Sequence, residues 1–253
     1  MSFFQAIFLG IVQGLTEFLP VSSSGHLVIF QKIFGFTEAP IAFDSLVHFG
    51  TLAALIVFFR KEILNIFKNK KLILNLAIGT IPIVFIGFLL KDKIEEIFNS
   101  LLLVGFSFLI TATILFLVSR VKESKKGIKE IKKSDSLIVG LFQALAILPG
   151  VSRSGSTISG AIFRDIKKED AFNFSFFLGM IAISGAMLLQ VPEIKNFSSD
   201  ETANGFLGFL FAAIVGYFSL KVLKKFVING KLHYFGIYCA ILGVICIIFG
   251  AVV

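Results

Sequence analysis

The chain reads as an all-α integral membrane protein, an inverted-topology repeat of about six transmembrane helices plus two re-entrant helix-loop-helix hairpins. Three observations predict this. Hydrophobic residues make up 56% of the 253 positions and mean hydropathy is +0.92, too apolar for a domain whose surface must be wetted by water. Two stretches are near copies: with a small gap, Gln13 falls on Gln143, Pro20 on Pro149, Ser22 on Ser152, Ser24 on Ser154 and Gly25 on Gly155. Finally, Lys and Arg are distributed so that one threading of the membrane satisfies the positive-inside rule far better than its rival.

The elements follow in order. Met1 to Leu9 lacks a basic leader and runs straight into the first polar motif, so it belongs to the fold and not to a signal peptide. The first hairpin covers about 3–34, and apolar runs at about 42–59, 73–90 and 101–119 are the first three spans. A basic cytoplasmic loop at about 120–136 leads to the second hairpin at about 137–163. Spans at about 171–191, 204–220 and 232–253 complete the chain. The whole is one membrane domain, 1–253, with repeat 1 at about 1–119 and repeat 2 at about 137–253.

If each hairpin enters and leaves on one side, Lys and Arg divide 19 to 4 between the two faces, leaving out Arg153 in the second motif. Lys32, Lys91, Lys93 and Lys195 form the minority. If each hairpin crossed once, the division would be roughly 13 to 10. The re-entrant threading is therefore expected, with both termini outside. Each half then crosses three times, so the second half is inverted relative to the first. The net charge of +8 is spent on orientation, which disfavours nucleic acid as a partner. Cys239 and Cys246 sit one heptad apart in the last span and read as packing residues.

Irregular backbone at membrane depth is tolerated where protein buries it or a polar cavity bathes it. The Ser/Gly tips should line such a cavity, with half-helix N-termini aimed at an anion. Ionisable residues at this depth cost about 2.5 to 3.5 kcal/mol each on insertion scales, so Glu17, His26, Asp44, His48 and Arg153 are functional candidates. A structural Glu17–Arg153 ion pair is the plain alternative.

Gln13 and Glu17, at i and i+4, share a helix face. A carboxylate beside a phosphate needs a cation or a proton. Glu17 is thus a ligand for Mg²⁺ or Ca²⁺, with Gln13 adding a neutral oxygen, or a general base. Ser22, Ser23, Ser24 and Gly25 precede His26. Hydroxyl and imidazole can form a nucleophile and base pair, or the imidazole can attack phosphorus itself, and both readings stay open. In the second motif Arg153 offers a fork to phosphate oxygens, flanked by Ser152, Ser154, Gly155 and Thr157. Asp44 and His48 share a face at i and i+4 and stand behind the site, in a proton path, or at the interface. The copies differ in chemistry: Ser156 and Asn173 replace His26 and Asp44.

Gln13-Gly-Leu-Thr-Glu17-Phe-Leu-Pro-Val-Ser-Ser23-Ser-Gly-His26 and Pro149-Gly-Val-Ser152-Arg153-Ser-Gly-Ser-Thr157 resemble the two signature motifs of the undecaprenyl-diphosphate phosphatase family, bacterial membrane proteins linked to bacitracin resistance. The resemblance covers essentially the whole chain. It implies hydrolysis of a polyprenyl diphosphate to the monophosphate carrier of cell-wall synthesis, with a divalent cation, at the outer face of the bacterial cytoplasmic membrane. It implies that Glu17 is essential, that Ser23 and His26 are nucleophile or base candidates, and that Ser152, Arg153 and Thr157 bind phosphate. Gln13 fills a position where the family has Glu or Gln, which leaves open how much of the metal the protein itself holds. The implied partners are the lipid substrate and membrane lipids, with a homodimer as an open option. A transporter or flippase of lipid-linked phosphate is the alternative, since inverted repeats also build alternating-access carriers.

Overall fold

The computed structural model describes residues 1–36, 41–90, 97, 100–121, 124–194 and 199–252. Lys91, Lys93, Lys122 and Lys195 of the charge count lie outside the described residues. The chain forms α1 (Phe3–Phe18), α2 (Ser23–Ile33), α3 (Ile41–Phe58), α4 (Arg60–Ile66), α5 (Lys70–Leu89) and α6 (Leu101–Val118). A 3₁₀ turn (Ile128–Glu130) precedes α7 (Lys133–Leu145), α8 (Arg153–Phe163), α9 (Lys168–Ile194), α10 (Ser199–Ile228) and α11 (His233–Val252). Among the described residues there is no strand beyond an isolated parallel bridge between Lys126 and Ile166.

Among the described residues five helices are long and apolar enough to cross a membrane: α5, α6 and the segments Lys168–Leu188, Ala203–Ile228 and His233–Ala251 of α9, α10 and α11. A sixth span exists if α3 and α4 count as one, bent by 78° between them. All six fall on the apolar runs of the sequence. The departure from expectation is α4, a helix in the stretch between the apolar runs at about 42–59 and 73–90. It is helical because Ile63 and Ile66 pack on the core while its charged residues stay outside. Large apolar side chains face outward, Phe88 at 91% exposure and Leu188 at 75%, a surface that suits lipid and not water.

Helix starts are fixed by short polar side chains. Ser2 and Gln5 form a capping box on α1, Asn69 caps α5 and Ser100 caps α6. Helices then approach through glycine. At Gly10 a Cβ would press on the backbone of Gly208, fixing the α1–α10 crossing, and at Gly140 it would press on Gly79, fixing α7 against α5. A cluster of phenylalanines holds the centre: Phe172 and Phe176 lie 4.7 Å apart, Phe59 and Phe177 5.3 Å, and Phe18 and Phe176 5.7 Å, all three edge to face.

The segment before α7 is clipped to the turn after α8. Buried Asp135 accepts from Arg164 at 2.9 Å, from Lys126 at 3.4 Å and from the Lys132 amide at 3.1 Å. Asn75 of α5 donates to the Ile131 carbonyl at 2.9 Å. These bonds hold both arms of the second hairpin at their open end, and so fix where its tip reaches.

Candidate active site

The two Ser/Gly tips meet. Ser22 caps α2 and Ser152 caps α8, each hydroxyl accepting from a glycine amide three residues on, Gly25 at 3.4 Å and Gly155 at 3.1 Å. Ser22 Oγ also accepts from the Gly150 amide at 3.0 Å, which ties the first tip to the second. The Ser152 amide donates to Thr111 of α6 at 2.9 Å, and Thr111 donates to the Gly150 carbonyl at the same distance. Ser22 has φ of 66°, the left-handed region that costs a non-glycine residue roughly 1–2 kcal/mol.

Glu17, at the end of α1, is the centre of the polar cluster and is buried. One carboxylate oxygen lies 2.6 Å from Arg153 Nη2. The other accepts from Ser23 Oγ at 2.6 Å and from Gln13 Nε2 at 3.1 Å, with His48 Nε2 at 3.7 Å. Arg153 is steadied from below by the Phe176 ring, 5.9 Å from its Cζ, and from the side by Gly179, where a Cβ would collide with Nη1. Nη1 is buried without a hydrogen-bond partner, as is Gln13 Oε1.

These groups open on a cavity of about 310 Å³. Glu17, Ser22, Ser23, Ser24, His48, Ser152 and Arg153 line its polar side, and Ile147, Ile183, Ala186 and Met187 its apolar side. A phosphate fits the polar wall, which offers a guanidinium and four serine hydroxyls. An isoprenoid fits the apolar one.

Other candidates sit outside the cavity lining. His26 turns away: its Nδ1 is 2.7 Å from the Ser22 carbonyl and its Nε2 2.6 Å from the Tyr238 hydroxyl of α11. Asp44 accepts from Gln31 at 2.9 and 3.0 Å, joining α2 to α3, while its carbonyl lies 2.7 Å from His48 Nδ1. Thr157 donates to the Arg153 carbonyl at 2.8 Å and meets Ser175 of α9 at 2.5 Å. Ser154 meets Ser152 at 3.3 Å, and a Cβ at Gly155 would touch Pro20 of the first tip. Tyr238, Ser175 and Gly179 were not among the sequence candidates. They lie in apolar spans and carry no local signal.

The family model for the bacitracin resistance protein BacA matches residues 6–245, spanning both motifs and every helix between them. The chain belongs to this family. Among its relatives, an undecaprenyl-diphosphatase of Carboxydothermus hydrogenoformans is 45% identical over 99% of this chain and 98% of its own. One of Halothermothrix orenii is 38% identical over the full length of both. The undecaprenyl-diphosphatase 4 of Bacillus thuringiensis is 39% identical over 98% of this chain and 97% of its own. As a BacA-family protein, the chain keeps Glu17, Ser23 and Arg153 within one hydrogen-bonded cluster.

Proposed function

We propose that this protein is a membrane phosphohydrolase that converts undecaprenyl diphosphate to undecaprenyl phosphate and inorganic phosphate. The observation that carries this is the junction at Glu17, where one carboxylate oxygen accepts from the Ser23 hydroxyl while the other is held by Arg153. The relatives' names and the family give the substrate class.

Glu17 takes the Ser23 proton as Oγ attacks the terminal phosphorus, and the bond to the bridging oxygen breaks, freeing undecaprenyl phosphate. A water then attacks the phosphoserine, and the proton held by Glu17 returns to Ser23 Oγ as phosphate departs. Arg153, with its second guanidinium nitrogen free of protein partners, and the Ser152 and Ser22 hydroxyls bind the non-bridging oxygens. Catalysis of this kind is mostly positioning and charge neutralisation. The apolar wall of Ile147, Ile183 and Met187 guides the first isoprene units to lipid.

The residues also fit a divalent cation, Mg²⁺ or Ca²⁺. Gln13 Oε1 is a buried oxygen with no partner, beside the Glu17 carboxylate. No group of three His, Cys, Asp or Glu converges here or elsewhere among the described residues, so substrate oxygens and water would complete the shell. Such an ion, when bound, supplies neutralisation of diphosphate charge.

The threading we favour is the inverted repeat with re-entrant hairpins, its cavity open to the outer face and both termini outside. Packing supports it. The crossing of α1 with α10 at Gly10 and Gly208 has a counterpart in α7 with α5 at Gly140 and Gly79, as a two-fold relating the halves requires. The matching caps at Ser22 and Ser152 repeat it at the tips.

The test is phosphate release from purified, detergent-solubilised protein given C15 to C55 prenyl diphosphates with and without Mg²⁺. Glu17→Ala, Ser23→Ala and Arg153→Ala should each lose on the order of 10²-fold or more in kcat. A wild type that releases no phosphate under any condition overturns the reading. Reporters placed within 60–71 and within 191–203 should fall on opposite sides of the membrane; the same side would refute the threading.

A further inference from the structure

We propose that His26 acts as a positioning residue that holds the Ser22–Ser23 backbone, and that Tyr238 of α11 is the partner that fixes it in that role. This rests on the phosphohydrolase reading and names two further parts of its machinery.

The hydrogen bonds settle the protonation pattern of the ring. A carbonyl oxygen only accepts, so the 2.7 Å contact with the Ser22 carbonyl places a proton on His26 Nδ1. In the neutral ring the lone pair is then on Nε2, and the Tyr238 hydroxyl, 2.6 Å away, donates to it. The two rings are nearly parallel, 5° apart, with Phe108 edge-on to the imidazole at 5.5 Å. His26 is buried at 4% exposure and absent from the cavity wall. Neither nitrogen has a lone pair left for Ser23 or for phosphorus.

The ring's grip matters because of what it grips. Ser22 holds a left-handed φ of 66° directly before Ser23. Its carbonyl accepts from His26 Nδ1–H at 2.7 Å and, at a longer 3.3 Å, from the His26 main-chain amide, and its hydroxyl accepts from the Gly25 and Gly150 amides. Losing the shorter of the carbonyl's two bonds lets Ser22 relax and swings Ser23 Oγ away from Glu17. Tyr238 does not act alone: the thiol of its neighbour Cys239 donates to the Pro20 carbonyl at 3.7 Å. Adjacent residues of α11 thus hold the Pro20–His26 segment at both ends.

The test uses full-length protein in detergent, kcat and KM for a prenyl diphosphate, four single variants and one double variant. His26→Asn keeps an amide N–H near the Nδ1 position and has no atom at Nε2, whereas His26→Gln reaches the Nε2 position and leaves the Ser22 carbonyl only its longer main-chain bond. The positioning role predicts that His26→Asn regains at least about tenfold of the kcat lost in His26→Ala while His26→Gln does not. Tyr238→Phe, which keeps the stacked ring, should lower kcat about fivefold with KM within about twofold, the loss of one hydrogen bond. The same change should add little in the His26→Asn background, where the hydroxyl has no partner. If His26→Asn is as inactive as His26→Ala in a folded protein, or if Tyr238→Phe matches or exceeds wild type, the proposal is overturned. Should the His26 variants fail to fold, Tyr238→Phe decides alone. Inactivity of the wild type would instead count against the phosphohydrolase reading.

Discussion

Gly179 carries no side chain, yet under the proposed mechanism it governs activity through the room it leaves for Arg153. A Cβ built there would overlap Arg153 Nη1, whose guanidinium also has its Cζ near the same point. The α9 backbone cannot retreat, because Phe176, Phe177 and Leu178 on the same turn are fully or almost fully buried in the aromatic core. The guanidinium is the softer partner and must move. In Gly179→Ala it retreats by roughly 1 Å or more, and a misplacement of that size in a charge-stabilising group costs on the order of 10²-fold in kcat/KM. That factor corresponds to about 2.7 kcal/mol of transition-state stabilisation. The 2.6 Å bond to Glu17 is lost with it. Phosphate release, measured for Gly179→Ala, Arg153→Ala and the double variant, separates this route from general damage. If Gly179 acts only through Arg153, the double variant is no slower than Arg153→Ala alone. A Gly179→Ala protein with wild-type kcat/KM, or a double variant whose losses simply multiply, would refute the reasoning.

Two further outcomes follow from the packing. Burial raises the Asp135 pKa, but the Lys132 amide, the Arg164 guanidinium and Lys126 outweigh it and hold the carboxyl below its ordinary value. The clip's stability is therefore full above about pH 4 and is lost as pH falls through the lower folded pKa. Asp135→Asn should cost about 1–3 kcal/mol near neutral pH, less than for a fully buried pair because Arg164 and Lys126 are 37% and 27% exposed. Thermal unfolding in detergent checks it, and an unchanged midpoint would argue against the clip. Gly10→Ala and Gly140→Ala should each cost about 1–3 kcal/mol, because the added carbon meets backbone and not a flexible side chain. If either raises the unfolding midpoint, that crossing is not the close contact described.

The sequence reveals some of this readily and some not at all, for physical reasons. Spans are legible because lipid demands long apolar runs, and the helices lie on those runs. Glu17, Ser23 and Arg153 are legible because polar groups inside such runs are costly and so stand out. Tyr238 is not, since an aromatic residue in an apolar span looks like packing, and its partner His26 is 212 positions away. Gly179 hides for the same reason: its meaning is the room it leaves for a side chain from another helix. The bend at Phe59 is obscured because basic residues mark a membrane exit whether the chain there is loop or helix.

The two tips show how one scaffold came to hold two kinds of chemistry. Their side-chain capping bonds are the same, down to a 3.3 Å contact between the hydroxyls of the cap residue and the residue two on, Ser22 with Ser24 and Ser152 with Ser154. What differs is one turn upstream. Gln13 donates to Glu17, but its counterpart Gln143 has Ile147 at the corresponding place and finds no partner for either side-chain atom, although it is fully buried. An unpaired buried amide costs about 1–3 kcal/mol, so it is not there for stability. A second carboxylate at position 147 would line the same cavity and repel the phosphate that Arg153 is placed to hold. The proposed mechanism therefore requires the asymmetry: in it the first tip supplies the base and the hydroxyl, the second supplies the positive charge, and the two meet at the Glu17–Arg153 contact.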